Sequence, residues 1–229
     1  MKPLQKFGGF AALYLAVVNL VGMVIFLVVL DYPSIIDPSQ KVALLVEKQA
    51  VIFSTNLLMY VFFGVFLMVL SLALYDQLKS GAPAIMQVAT ATGMLWAGSL
   101  IASGMIANAG ISPVVALYAK DPAQAALTWQ GIETVTNGLG NANGEILGGL
   151  LTLLISLAAL RAGGFPKGLN ILGLVVGAVG IISIFPGLTD LMIGVFGLSQ
   201  IIWFIWLGIT LLRSSSRQAS ANPGYVTAQ

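Results

Sequence analysis

The chain has 229 residues, 58% of them hydrophobic and 8% charged, with a formal net charge of +2 and a mean hydropathy of +0.97. Soluble domains carry roughly 25% charged residues, so this composition excludes a water-soluble globular body, and so small a net charge gives no reason to expect nucleic acid as a partner. Cys and His are absent, which removes disulfides, thiolate nucleophiles, imidazole bases and the usual ligands of zinc, copper and haem, so no cofactor is expected.

A hydrocarbon core about 30 Å thick needs about 20 consecutive apolar residues per helix. Such runs fall at 7–30, 51–75, 83–110, 141–160, 168–186 and 190–212. The fold class expected is therefore all-α: a polytopic membrane protein with a six-helix transmembrane domain over residues 1–213, solvated by the lipid bilayer. The first run follows Lys2 and Lys6. It is too long for a signal-peptide core and ends on Leu30-Asp31-Tyr32-Pro33 without a small-residue cleavage pattern, so it reads as a retained span.

The segment after span 1 and that after span 3 each contain a helix start. Asp37-Pro38 and Asp121-Pro122 place Asp at the N-cap and Pro at the first helical position. The mixed apolar and polar stretches that follow, 41–48 and 125–135, suit short helices lying on the outer membrane surface. The turns at 76–82 and 161–167 close on Gly81-Ala82-Pro83 and Gly163-Gly164-Phe165-Pro166. With the N-terminus inside, Lys2, Lys6, Lys79, Arg161, Lys167, Arg213 and Arg217 fall on the cytoplasmic side, against Lys41, Lys48 and Lys120 outside. That bias puts both termini in the cytoplasm. Prolines 3, 83 and 166 open the odd spans, and prolines 33, 113 and 186 close them. This spacing suggests three helical hairpins in a weak parallel repeat; prolines gathering at span ends is the competing reading. Residues 214–229 form a polar, small-residue tail expected to be disordered.

Polar groups inside spans must find a partner or a cavity. Glu145 is the carboxylate that the reading places at the start of span 4, and Arg161 lies too far along the same helix to pair with it. It must reach water, hold a proton or bind a cation; a first-turn acid offsetting the helix dipole at a wet interface, beside a cap at Asn141 or Asn143, is the competing reading. Asn56 and Tyr60 share a face of span 2, and Ser99 and Ser103 a face of span 3. Should those faces converge with Glu145, they would line an outward-opening polar pocket floored by Asn19, Ser99 and Gln200. Interhelical hydrogen bonding accounts for the same residues as glue. On span 5, Gly173, Gly177 and Gly180 form a smooth stripe for close helix packing, and Trp203 and Trp206 are expected to pack inside the domain or to line a cavity.

The segments Asn143-Gly144-Glu145-Ile146-Leu147-Gly148-Gly149, Phe165-Pro166-Lys167-Gly168-Leu169-Asn170 and Gly197-Leu198-Ser199-Gln200 through Gly208 resemble the small bacterial membrane proteins of the domain of unknown function 4386 family. The resemblance covers nearly the whole chain and implies a six-helix bundle in the bacterial cytoplasmic membrane; it carries no activity. Three functions compete. One is binding or transport of a small neutral or cationic solute or amphiphile. Another is an accessory subunit that meets a membrane-protein partner, or a second copy, through its Gly faces. An enzyme is not expected, because Glu145 has no second acid, His or Cys to work with.

Overall fold

The computed structural model describes residues 3–140, 144–185 and 187–221. Asn141, Asn143 and Pro186, and the tail beyond residue 221, lie outside them. The described residues are helical, with no strand among them: α1 (Pro3–Val24), α2 (Pro38–Glu47), α3 (Gln49–Asn56), α4 (Phe63–Leu78), α5 (Pro83–Tyr118), α6 (Pro122–Gly140), α7 (Gly144–Ala162), α8 (Lys167–Ile182) and α9 (Thr189–Ala221). A π-helical turn, Ile25–Val29, extends α1, and a second, Leu57–Phe62, joins α3 to α4.

Five parts of the chain are long and apolar enough to cross a membrane: the helical stretches Leu4–Val29, Gln49–Leu78, Pro83–Tyr118 and Leu191–Arg213, and the part that takes in α6 and α7. The protein is thus an all-α, polytopic integral membrane protein. The expected fifth span is shorter than its apolar run: α8 has 16 residues, about 24 Å at 1.5 Å per residue. The helix ends at Ile182 with Ser183 as its C-cap, and Gly187 beyond it stands at φ +87°, a conformation that glycine adopts without steric cost.

Three other boundaries differ from the sequence reading. Pro113 does not close the third span, since α5 continues through it to Tyr118. A proline removes one backbone hydrogen bond from a helix interior, and a 36-residue helix tolerates that loss. The stretch 125–135 is the middle of the 19-residue α6 rather than a short surface helix. The last helix carries on from Arg213 to Ala221, into the segment expected to be disordered.

The two Asp-Pro starts fold as read. The Asp37 carboxylate accepts from Ser39 N at 2.9 Å, and that of Asp121 from Gln124 N at 3.0 Å, so each caps its helix.

The chain forms two compact units. One comprises Met1–Ala16, Phe66–Met94 and Ile146–Gln229; the other comprises Val17–Val65 and Leu95–Glu145. In the first, Leu15, Leu67, Leu70, Leu74, Ile155, Phe204 and Leu207 are fully buried. There α8 buries Leu169, Asn170, Gly173, Val176, Gly177 and Gly180, the spacing of one helix face. Its opposite face exposes Ile171, Val175 and Ile182, as a helix against acyl chains should. A Cβ on Gly177 would stand 2.7 Å from Leu153 Cβ and 2.8 Å from the Gly149 carbonyl oxygen, so α7 approaches α8 at backbone distance. Gly173 faces Ser156 and Trp203 in the same way. Trp203 is buried as expected, whereas Trp206 is 40% exposed.

The second unit has a core of Leu30, Val42, Leu45, Ile52, Ile111, Val114, Ala125, Ala126 and Trp129. The short α2 is fixed to α6 through Val42 and Leu45, which are wholly buried. These two are the buried residues of the helix, and the neighbouring Lys41 reaches sideways from it to Glu133.

Candidate functional site

A cavity of about 440 Å³ lies within the second unit, a size in the range of small-molecule sites. Its apolar wall comes from Met23, Phe26, Ile52, Met59 and Ala107, and its polar wall from Tyr32, Lys41, Asn56, Tyr60, Glu133 and Asn137. Both π-helical turns contribute, through Phe26 and through Met59 and Tyr60. Such turns recur at functional sites because the extra residue re-aims side chains without ending the helix.

The charged corner is an ordered network. Lys41 Nζ donates to both carboxylate oxygens of Glu133, at 3.1 and 3.2 Å. The Tyr32 hydroxyl donates to Glu133 Oε1 and accepts from Trp129 Nε1 at 3.1 Å. Lys41 Nζ also stands 4.9 Å from the centre of the Tyr32 ring, within cation–π range. The Phe26 and Tyr32 rings meet edge to face at 85° with centroids 6.0 Å apart, so Tyr32 is braced on two sides. Burial first, then the hydrogen bond to Glu133 and its negative charge, push the Tyr32 hydroxyl far above the ordinary tyrosine range. It is a permanent donor at any physiological pH.

Of the residues singled out in the sequence, Asn56, Tyr60 and Ser103 line this cavity. Asn56 Nδ2 donates to Asn108 Oδ1 at 3.0 Å, and Asn108 Nδ2 to the Phe53 carbonyl at 3.2 Å. Ser103 Oγ donates to the Thr136 carbonyl at 2.9 Å. These bonds tie α3, α5 and α6 together, so the two residues serve as glue and as wall at once.

The residues expected as its floor are not among those that line this cavity. Gln200 belongs to the first unit, 2% exposed, where its Nε2 donates to Thr152 Oγ1 at 3.1 Å while that hydroxyl donates to the Gly148 carbonyl at 2.8 Å. Ser99 Oγ is spent on the carbonyl of Trp96 at 2.9 Å. Asn19 and Glu145 are half-buried and do not line the cavity. Glu145 sits in the first turn of α7, where a carboxylate complements the helix dipole.

Sequence reasoning missed Glu133, Lys41, Tyr32 and Trp129. A signal for half of them was present: Trp129, Glu133, Thr136 and Asn137 follow one another at 4, 3 and 1 residues, one face of α6. Nothing local could pair Lys41 with a residue 92 positions away.

A groove in the first unit is larger, about 620 Å³, but Ile202, Ile205, Trp206 and Ile209 dominate its wall and its polar side chains are Thr210 and Arg213. The concentration of polar chemistry therefore lies in the cavity of α2, α5 and α6. Set beside family models, curated proteins and solved structures, the chain matches none of them.

Proposed function

We propose that the cavity binds a small amphipathic solute, with an apolar body against Phe26, Ile52 and Met59 and a polar head at the Lys41, Glu133 and Tyr32 corner. The observation that carries this reading is the joint presence of a cavity of about 440 Å³ and a hydrogen-bonded ion pair on its wall. Ligand sites pair an apolar lining with a few placed polar groups. The single charge partner foreseen at Glu145 is replaced by Glu133, already neutralised by Lys41. A non-enzymatic role fits a carboxylate held by an ammonium and a tyrosine rather than by a nucleophile or a second acid. The excess of Lys and Arg on one set of connections supports cytoplasmic termini, and the resemblance to the domain of unknown function 4386 family supports a bacterial cell membrane.

The test is a thermal melt of the purified protein in a non-ionic detergent with hexanol, hexylamine or hexanoate, for wild type and for Ala107→Trp, which fills the cavity. A rise in melting temperature that Ala107→Trp cancels supports the reading; equal shifts in both proteins, or none, refute it. Uptake of the stabilising compound into proteoliposomes separates transport from binding.

The second reading, an accessory subunit, rests on the apolar groove of α9 at Ile202, Ile205, Trp206 and Ile209. The glycine face of α8 supports it less, because α7 occupies that face. Recovery of a stoichiometric membrane-protein partner, or of a stable second copy, in mild detergent favours it; a monomer alone counts against it.

A further inference from the structure

The charged corner of the cavity has the composition of a cation receptor. Four aromatic residues, Phe26, Tyr32, Tyr60 and Trp129, line the cavity around one carboxylate, Glu133. Aromatic faces carry negative potential and take up ammonium groups, quaternary ones included, without asking for a hydrogen bond. In this structure the corner already holds a cation of its own. Lys41 reaches in from α2 and presents its ammonium to both oxygens of Glu133 and to the Tyr32 ring.

We propose that Lys41 is an internal stand-in for the ligand, and that the cavity takes an organic cation, an ammonium head on an apolar body, whose head displaces the Lys41 side chain from Glu133. This rests on the binding function proposed above and assigns its ligand class. Three features support displacement rather than a permanent structural pair. Lys41 retains 23% exposure and Glu133 16%, so the pair lies at the open edge of the packing rather than sealed inside it, and the ammonium has room to leave. The backbone of α2 is anchored by Val42 and Leu45, so only the flexible four-carbon stem of Lys41 has to swing. The remainder of the corner stays in place, because Tyr32 is held by Trp129 and Phe26 and needs neither Lys41 nor the ligand for its position. An anionic ligand would meet the opposite situation: it gains Lys41 but faces Glu133 and the ring faces, both of which repel it.

A self-occupied site binds its ligand more weakly by the fraction of time that it is vacant. If Lys41 fills the corner about nine-tenths of the time, removing its charge tightens cation binding by about tenfold. The experiment is calorimetric titration of the full chain in a non-ionic detergent with choline, its uncharged isostere dimethylbutanol and the anion tert-butylacetate. Choline should bind in preference to both. Lys41→Met should tighten choline by about tenfold, and Glu133→Gln should weaken it by about tenfold or more. Lys48→Met removes an equal charge seven residues further along the chain, where Lys48 pairs with Glu47; it should change choline binding less than about twofold. Monodispersity on gel filtration certifies each variant, and Lys41→Gln stands in should Lys41→Met fail that check.

Choline binding that is unchanged or weakened by both Lys41 variants overturns the proposal. So does a preference for tert-butylacetate that Lys41→Met abolishes; in that case the cavity still binds amphiphiles and the earlier reading survives. Failure of all three probes in wild type and both Lys41 variants, together with no stabilisation by hexylamine, overturns both. Repeating the titration in nanodiscs of pure phosphatidylglycerol and of phosphatidylcholine separates two sources of the cation. A headgroup drawn from the bilayer competes with free choline and lowers its apparent affinity, whereas a free solute binds equally in the two lipids.

Discussion

Replacing Gly177 by alanine tests the closest helix contact in the first unit. An ideal Cβ there would lie 2.7 Å from Leu153 Cβ and 2.8 Å from both the Leu153 amide nitrogen and the Gly149 carbonyl oxygen. Ordinary van der Waals contact starts near 3.4 Å, so α7 and α8 must part by roughly 0.7 Å to admit one methyl group. The opposing atoms are backbone and Cβ, which no change of rotamer moves. Overpacking of this kind costs about 1–3 kcal/mol, while alanine returns about 0.8–1.0 kcal/mol of helix propensity. The balance is a loss of up to about 2 kcal/mol, because the steric term exceeds the propensity gain over most of its range. Gly194→Ala is the internal control. It too sits in a helix, but its Cβ would meet nothing within 4 Å, so only the propensity term acts and the variant should be more stable by up to about 1 kcal/mol. The assay is reversible unfolding in mixed micelles, titrating with a denaturing detergent and following helicity. Gly177→Ala should fall below Gly194→Ala in stability; a Gly177→Ala protein stabilised as much as Gly194→Ala would refute the backbone-distance packing of α7 on α8.

Gln200→Leu removes a hydrogen bond to Thr152, whose hydroxyl keeps the Gly148 carbonyl as its acceptor. A loss of about 0.6 kcal/mol in the same unfolding assay is expected, with solute binding by the cavity of the other unit unchanged; abolished binding would restore Gln200 to the site. Tyr32→Phe probes the raised hydroxyl. Its folded form holds the proton more tightly than the unfolded chain, so its contribution is complete below the ordinary tyrosine value of about 10 and is lost as pH rises above it. Melts from pH 8 upward should show wild type losing its margin over Tyr32→Phe above about pH 10, and a margin independent of pH would refute the buried Tyr32 to Glu133 contact.

Much of the architecture was legible in the residues because lipid imposes a simple rule: a helix crosses only if its apolar run is long enough. Spans 1, 2, 3 and 6 correspond to helical stretches long enough to cross, and the described part of span 4 is α7. The Asp-Pro starts of α2 and α6 were equally legible, since a cap is made within four residues of chain. Face-sharing at four-residue spacing brought Asn56, Tyr60 and Ser103 to the cavity, and the glycine spacing of α8 marked the side that α7 approaches.

Which faces meet was beyond that reading. Gln200 and Asn56 are both amides inside apolar helices, yet one pairs with Thr152 in the first unit and the other lines a cavity in the second. Nothing in their neighbours along the chain separates the two cases. Glu145 drew attention by standing inside an apolar run, while Glu133 passed as a surface acid because its segment mixes polar and apolar residues. The apolar periodicity of a sequence determines that a helix forms and how far it reaches, because both depend on residues within a few turns. Packing across 92 residues of chain decided that Lys41 meets Glu133 beside Tyr32, because an ion pair in a low-dielectric corner exists only once distant helices have brought its members into contact.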